Sequence, residues 1–477
     1  MMRALILLHR WLGVAFCPLF AIWFASGAVM HFVPFPAQTE AERLAGLASL
    51  DLPPGIRGPA QAVSASGMTS VSRLSLFLRS DGPVYLISGS GGVVALFAAD
   101  LSNAAVRSPA LALAIAKDFA NHREWDNSSA TVVGLKAYDQ WTVASEYNRD
   151  RPLYRVALHD ERGTELYVSS ATGEIVLDTN LRQRTWNYVG SIAHWIYPTV
   201  LRRHHVAWTW LVWGLSFLAL IGACAGALVG MLQLIGGTSS HYRGWQLWHY
   251  RLGLAYALFL LSWLLSGFLS MDDGTLFSTG RPTRAEIAAV IGRPNWSSLP
   301  PDELAHLSPQ TVQTEWFAFG GQIYRRERTV SGSQKIATGG SRDPPSRSAF
   351  LKAAEVNAIG ESLGHDCERA VVGRADNYAP APTTAGAPVY RLACDNDWFY
   401  IDASDGALLA KLDSSRRAYR WLFEGLHTLD FPALTARPEA RRFLIILLCT
   451  AGFAFSVTGM MIAYRRVTSP YRRTETS

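Results

Sequence analysis

Four runs of the chain contain no Asp, Glu, Lys or Arg: Trp11–Thr39, His204–Tyr242, Leu252–Met271 and Phe443–Tyr464. Each is long enough to cross a bilayer as a helix, which takes about 20 residues. A transmembrane β-barrel, with short alternating strands, is excluded. Two polar regions separate the runs, and both read as mixed α and β. Val84–Ser88 and Tyr154–Leu158 have strand composition, and Ala110–Asn121 has helical spacing. In the second region Thr314–Phe319, Val389–Cys394 and Trp398–Asp402 read as strands and Ser348–Ile359 as a helix. Gly89–Gly92 (GSGG) lacks dinucleotide-binding spacing and reads as a turn, and Ser331–Ser348, rich in Gly, Ser and Pro, as a mobile loop.

The expected organisation is a spanning helix over 1–32 and a polar domain over 33–183, followed by an amphipathic approach segment over 184–204. Spanning helices over 205–235 and 248–271 flank a short loop, 236–247. A second polar domain over 272–415 leads to an approach segment over 416–440, a fourth spanning helix over 441–466 and a tail over 467–477.

Composition agrees. Of 477 residues, 49% are hydrophobic and only 17% charged, whereas soluble domains run nearer a quarter charged. An ordinary soluble enzyme and a disordered chain are excluded. The net charge of +6 sits largely beside the apolar runs, which suits membrane lipid and not nucleic acid. Arg243, Arg251, Arg465, Arg466, Arg472 and Arg473 fit a multi-pass bacterial inner-membrane protein with both termini cytoplasmic, which makes the two polar domains periplasmic. A cleaved signal over Met1–Phe32 is rejected, because its apolar run is too long and recurs later. Five Cys exclude a disulfide scaffold. Cys17, Cys224 and Cys449 fall in spans. Cys367 and Cys394 fall where oxidation is possible; a disulfide is expected, with two buried free thiols as the alternative.

The chain repeats itself. At a shift of 240, His9, Leu12, Gly13, Trp23 and Ser26-Gly27 meet His249, Leu252, Gly253, Trp263 and Ser266-Gly267. At a shift of 233, Tyr167, Gly173, Arg184, His194 and Gly226 meet Tyr400, Gly406, Arg417, His427 and Gly459. Two parallel halves imply a pseudo-two-fold axis along the membrane normal. Gly222, Gly226 and Gly230 recur every four residues, a spacing that permits close helix packing.

Polar groups in spans are costly, so an intramembrane His signals function. His9 and His249 begin spans on one side, and His194 and His427 lie on approach segments at the other. Symmetry-related imidazoles between helices suit bis-His haem. The faces are about 30 Å apart, so one haem cannot join His9 to His194. The pairs are therefore His9 with His249 and His194 with His427, which gives two haems b. His31, at the outer end of the first span, is an alternative outer ligand or lining residue; its repeat partner is Met271. His204 and His205 read as headgroup anchors beside Arg202 and Arg203, and His122, His159, His306 and His365 as surface residues. Trp11, Trp195, Trp208, Trp245 and Trp248 suit an interfacial belt, and some are compatible with a flat porphyrin. Zinc fits poorly, since no Cys or carboxylate clusters with the paired His.

At these positions the chain resembles the PepSY-associated transmembrane helix family of iron-regulated membrane proteins, which includes ferric-siderophore reductases. His9-Arg10-Trp11-Leu12-Gly13 is similar to its HRWLG opening, Ser26-Gly27 and Ser266-Gly267 to its span ends, and Gly425-Leu426-His427-Thr428 to its returning segment. Tyr167–Val176 and Tyr400–Leu409 resemble the strand-turn-strand that closes a PepSY domain. Asp139-Gln140-Trp141-Thr142 and Arg151-Pro152-Leu153-Tyr154 also match such proteins. The resemblance implies four transmembrane α-helices, two α+β PepSY-like periplasmic domains, b-type haems on intramembrane His and electron transfer to a periplasmic ferric chelate.

The expected function is thus a di-haem electron-transfer protein acting as a ferric (siderophore) reductase. With no nicotinamide or flavin motif, its donor would be quinol or a cytoplasmic reductase. Arg202, Arg203, Arg441 and Arg442 are expected contacts for propionates or an anionic chelate, with lipid anchoring as the alternative. A haem-free PepSY anchor that binds or regulates a periplasmic protein is the competing reading. A transporter is weaker, because the spans lack Asp, Glu and Lys.

Overall fold

The computed structural model describes residues 2–237, 242–340, 349–363, 367–372 and 376–468. His365, residues 341–348 of the expected loop and nearly all of the expected tail lie outside this set. The chain forms two compact units, Met1–Phe35 with Gln183–Ser278 and Arg417–Ser477, and Pro36–Arg182 with Thr279–Arg416.

The charge-free runs of the first unit are helices: α1 (Met2–Phe32), α2 (His205–Ile235), α3 (Trp245–Leu269) and α4 (Pro438–Thr468). All four are long and apolar enough to cross a membrane. Helix α1 packs on α2 and α4, and α3 packs on the same two, so α1 and α3 stand diagonally across a four-helix ring. Small residues allow the approach. A Cβ at Gly452 on α4 would come 2.7 Å from the Phe24 ring, and one at Gly222 on α2 would come 3.0 Å from Leu12 Cβ. Phe16, Phe24, Tyr256, Leu260, Leu264 and Phe455 fill the centre. Two short helices flank the ring: Ser191–His194 packs on α1, and Leu426–Thr428 packs on α3.

The second unit contains three antiparallel sheets. The first polar region supplies β1 (Val71–Arg79), β2 (Gly82–Gly89), β3 (Gly92–Phe97), β4 (Thr131–Lys136), β5 (Leu153–Ala157), β6 (Glu165–Ser169) and β7 (Ile175–Thr179). The second supplies β8 (Thr311–Phe319), β9 (Gln322–Thr329), β10 (Gln334–Thr338), β11 (Glu368–Val372), β12 (Val389–Cys394), β13 (Asp397–Asp402) and β14 (Leu408–Leu412). Strands β4 to β7 and β11 to β14 each make a four-stranded sheet in sequence order.

A helix covers each of these sheets. In Pro109–His122, Ala112, Ile115, Ala116, Phe119 and Ala120 are buried at the i, i+3, i+4, i+7, i+8 spacing of a one-sided helix, against Tyr154, Val156, Leu166 and Val168. Ser108 caps it by accepting from Leu111 N–H. Ala353–Ser362 covers the other sheet through Val356 and Ile359. The expected strand-turn-strand segments are the β6–β7 and β13–β14 hairpins. Gly173 (φ +76°) and Gly406 (φ +68°) sit in their turns, a conformation that favours glycine. Cys367 and Cys394 are disulfide-bonded.

The third sheet is shared. Its order β10-β9-β8-β1-β2-β3 joins three strands from each polar region, with β1 antiparallel to β8 (Leu76 opposite Thr314). Ion pairs on largely buried carboxylates stitch it: Glu315 on β8 binds Arg73 on β1 at 2.5 Å and Arg326 on β9 at 3.0 Å, and Arg73, itself partly exposed, also reaches Asp405 at 3.1 Å.

Candidate functional site: two facing histidine pairs

The diagonal placement of α1 and α3 turns His9 toward His249, with ring centroids 6.1 Å apart and planes 34° apart. The flanking short helices bring His194 to His427, also at 6.1 Å, with planes 66° apart. In sequence, 17 positions separate His9 from Ser26, the contact of His194, and 17 separate His249 from Ser266, the contact of His427. At 1.5 Å per residue the two pairs are about 25 Å apart along the bundle.

Each imidazole is held through Nδ1. His9 Nδ1 lies 3.0 Å from the Gly222 carbonyl oxygen, which can only accept. His249 Nδ1 lies 3.0 Å from Thr458 Oγ1, whose single hydroxyl proton is donated to the Phe455 carbonyl at 2.6 Å. His194 Nδ1 lies 3.1 Å from the Trp23 carbonyl and 3.1 Å from Ser26 Oγ, which itself donates to that carbonyl. Trp23 Nε1 returns a bond to the His194 carbonyl. His427 Nδ1 lies 3.0 Å from Ser266 Oγ, which donates to the Trp263 carbonyl. The carbonyls beside His9 and His194 can only accept, and Thr458 and Ser266 already donate to carbonyls, so the hydrogen-bond network assigns the proton to Nδ1 in all four rings. Nε2 is left as a lone pair in each neutral ring, the tautomer that ligates a metal.

Glycines seat the rings. A Cβ at Gly226 would come within 2.3 Å of His9 Cε1. At Gly459, Gly27 and Gly267 it would meet the Cε1 of His249, His194 and His427 at 3.5, 3.5 and 3.6 Å.

Two cavities surround the pairs. One of about 400 Å³ holds His9 and His249 and is lined also by Arg10, Tyr250 and Arg466. The other, about 740 Å³, holds His194 and His427 between Trp23, Trp263 and Phe24. Both lie in the range of cofactor sites. Phe20 and Leu260 line both.

The residues fit haem. With a metal–imidazole bond of about 2.0 Å and about 1.1 Å from nitrogen to ring centroid, two trans imidazoles place their centroids about 6 Å apart. No group of three or more His, Cys, Asp or Glu that could hold a metal exists among the described residues, so a bare ion would have two protein ligands. A macrocycle would supply the donors that the protein lacks.

Of the other residues singled out in the sequence, His31 lines the second cavity, and its Nε2 is buried without a partner. Arg202 and Arg441 line that cavity too. Arg203 instead bonds His204, while Arg442 lies 3.7 Å from Glu439 and over Phe32. His205 sits 3.4 Å from Thr209. His122 and His159, in the polar unit, bond the Asp118 carbonyl and Thr131. Cys17 lines the first cavity and Cys449 the second, whereas Cys224 is exposed. Sequence reasoning did not assign the supporting roles of Ser26, Ser266, Gly27, Gly267, Gly226 and Gly459, although all six are repeat-matched. Thr458 gave no such signal, because the shift of 233 sets it against Ala225.

No curated protein matches the chain. A family model described as the PepSY-associated TM region matches residues 6–466, so the chain is a membrane protein that belongs to the PepSY-associated transmembrane family.

Proposed function

We propose that the protein is a di-haem b electron carrier of the bacterial inner membrane that passes electrons from quinol or a cytoplasmic reductase to a periplasmic ferric chelate. The observation that carries the haem reading is the facing of tautomer-fixed imidazoles. Within each pair the ring centroids stand 6.1 Å apart and Nδ1 is tied to the fold, which leaves Nε2 of each ring for an electron-pair acceptor such as a haem iron held between them. Haem iron held at each pair would supply one-electron redox chemistry.

The chain's own contribution is position and electronics. His9 with His249, and His194 with His427, would hold the two haems. The Gly222 carbonyl, Thr458, Ser26, Trp23 and Ser266 hold the ligand rings and raise their basicity. Phe24, on the wall of the second cavity, and Phe455, on the wall of the first, share one buried apolar cluster with Tyr256. The ferric-chelate acceptor rests on chemistry and on the resemblance of the motifs. Each ferric ion would take one electron, and ferrous iron, less charged and softer, is held less tightly by hard oxygen donors.

The test is a pyridine haemochrome assay on detergent-purified protein from haem-replete cells. The expected result is two haems per chain, falling to one in His9→Ala, His249→Ala, His194→Ala or His427→Ala. Folded but colourless wild-type protein would overturn the proposal in favour of a haem-free anchor for a periplasmic protein. Oxidation of the dithionite-reduced protein by a ferric chelate, followed by its visible spectrum, tests the acceptor separately.

A further inference from the structure

Arg202 is a buried cation with no counter-ion among the described residues. It ends the short helix Thr199–Arg202, is 9% exposed and lies on the wall of the second cavity. Its guanidinium stacks on Trp208 at 4.5 Å and Tyr197 at 5.2 Å. Stacking covers the faces of the group but gives its in-plane N–H bonds no acceptor, and Nε is buried with no hydrogen-bond partner. Acidic groups of the same unit are engaged elsewhere: Glu424 and Asp430 with Arg420, Glu439 with Arg442, and Asp272 with the Leu276 and Phe277 N–H groups. A buried charge left unpaired is costly, so the fold implies an anion at this place.

A second orphan faces the same space. His31 Nε2 is buried and unpartnered on the cavity wall. Arg441, whose Nε donates to the Thr428 carbonyl at 3.0 Å, adds positive charge to the lining. The rest of the wall includes Phe20, Trp23, Phe24, Trp263 and Leu264. The ligand chemistry is therefore an apolar body with an acidic end, and the planar fork of an arginine matches a carboxylate.

We infer that Arg202 forms a carboxylate-binding site on the wall of the second cavity, which His31 and Arg441 also line. The carboxylate comes from a propionate of the haem held by His194 and His427, an assignment that rests on the haem reading, or from a fatty acid of the surrounding lipid, which does not.

The experiment uses the His9→Ala chain, in which only the second site can hold haem, produced without haem and titrated with iron protoporphyrin IX or its dimethyl ester. The free acid is expected to bind at least tenfold more tightly than the ester. Arg202→Gln should abolish the preference, His31→Gln should reduce it, and Arg202→Lys should retain part of it. Equal binding of acid and ester, or a preference that survives Arg202→Gln in folded protein, would overturn a propionate source.

Palmitate and hexadecanol, followed by tryptophan fluorescence, then decide the lipid source. Palmitate binding that depends on Arg202 keeps the carboxylate site with a lipid ligand. If neither carboxylate depends on Arg202, the site does not exist. Failure of both porphyrins to bind would count against the haem reading alone, since the palmitate arm still tests the site.

Discussion

His9 and His249 project from spanning helices, whereas His194 and His427 ride on short helices packed beside α1 and α3. Both pairs nevertheless reach the same 6.1 Å separation. In the first pair helix surfaces set His9: the Gly226 seat leaves no room for a methyl group, and the Gly222 carbonyl accepts from Nδ1, while His249 rests on the Thr458 side chain. In the second pair Ser26 and Ser266 reach out to imidazoles on other segments, the Trp23 carbonyl also lies beside His194, and the glycine seats at Gly27 and Gly267 are looser. The difference teaches that one ligand geometry can be set by close backbone approach or by hydrogen bonding. The two sites should therefore fail in different ways.

Gly226→Ala should produce the largest effect after loss of a ligand. Its methyl group would lie within 2.3 Å of His9 Cε1, so the ring must leave its position, and haem content should fall from two to one per chain. The fold should survive, because Ala favours a helix over Gly by about 1 kcal/mol. Circular dichroism with haem quantitation checks both halves of this expectation.

Thr458→Val comes next. It removes the acceptor of His249 Nδ1 and should weaken haem binding at the first site by about 10- to 100-fold, the usual cost of losing such a support. Ser26→Ala should do less, because the Trp23 carbonyl still lies 3.1 Å from His194 Nδ1. Competition for haem by an apo-globin would measure both. Gly459→Ala, where the added methyl would meet His249 at an ordinary contact distance of 3.5 Å, should leave two haems in place. Loss of haem there would erase the proposed contrast between the two glycine seats.

The spans were legible because charge is excluded from a bilayer core, and the helices follow the charge-free runs closely. Both histidine pairings were legible because the repeat marks His9 with His249 and His194 with His427. The shared sheet was not. Pairing of β1 with β8 joins residues more than 200 positions apart, and no local pattern encodes that. Strand β9 was hidden for a different reason. Its run Arg325-Arg326-Glu327-Arg328 looks solvent-facing, yet all four side chains are buried, and Glu303, Glu315 and Glu40 pair with its arginines. Orphan status was equally invisible: Arg202 and Arg203 are adjacent and chemically alike, and only the folded chain separates the buried one from the exposed one.

The central claim is that two imidazole pairs clamp haem iron with different ring orientations. Electron paramagnetic resonance of the oxidised, purified protein tests it most directly. The account predicts two low-spin ferric signals, with the more anisotropic one, from the pair whose planes lie 66° apart, lost in His194→Ala. The other signal, from the pair at 34°, should be lost in His9→Ala. High-spin iron alone, a single signal unaffected by either substitution, or no haem iron at all would contradict it.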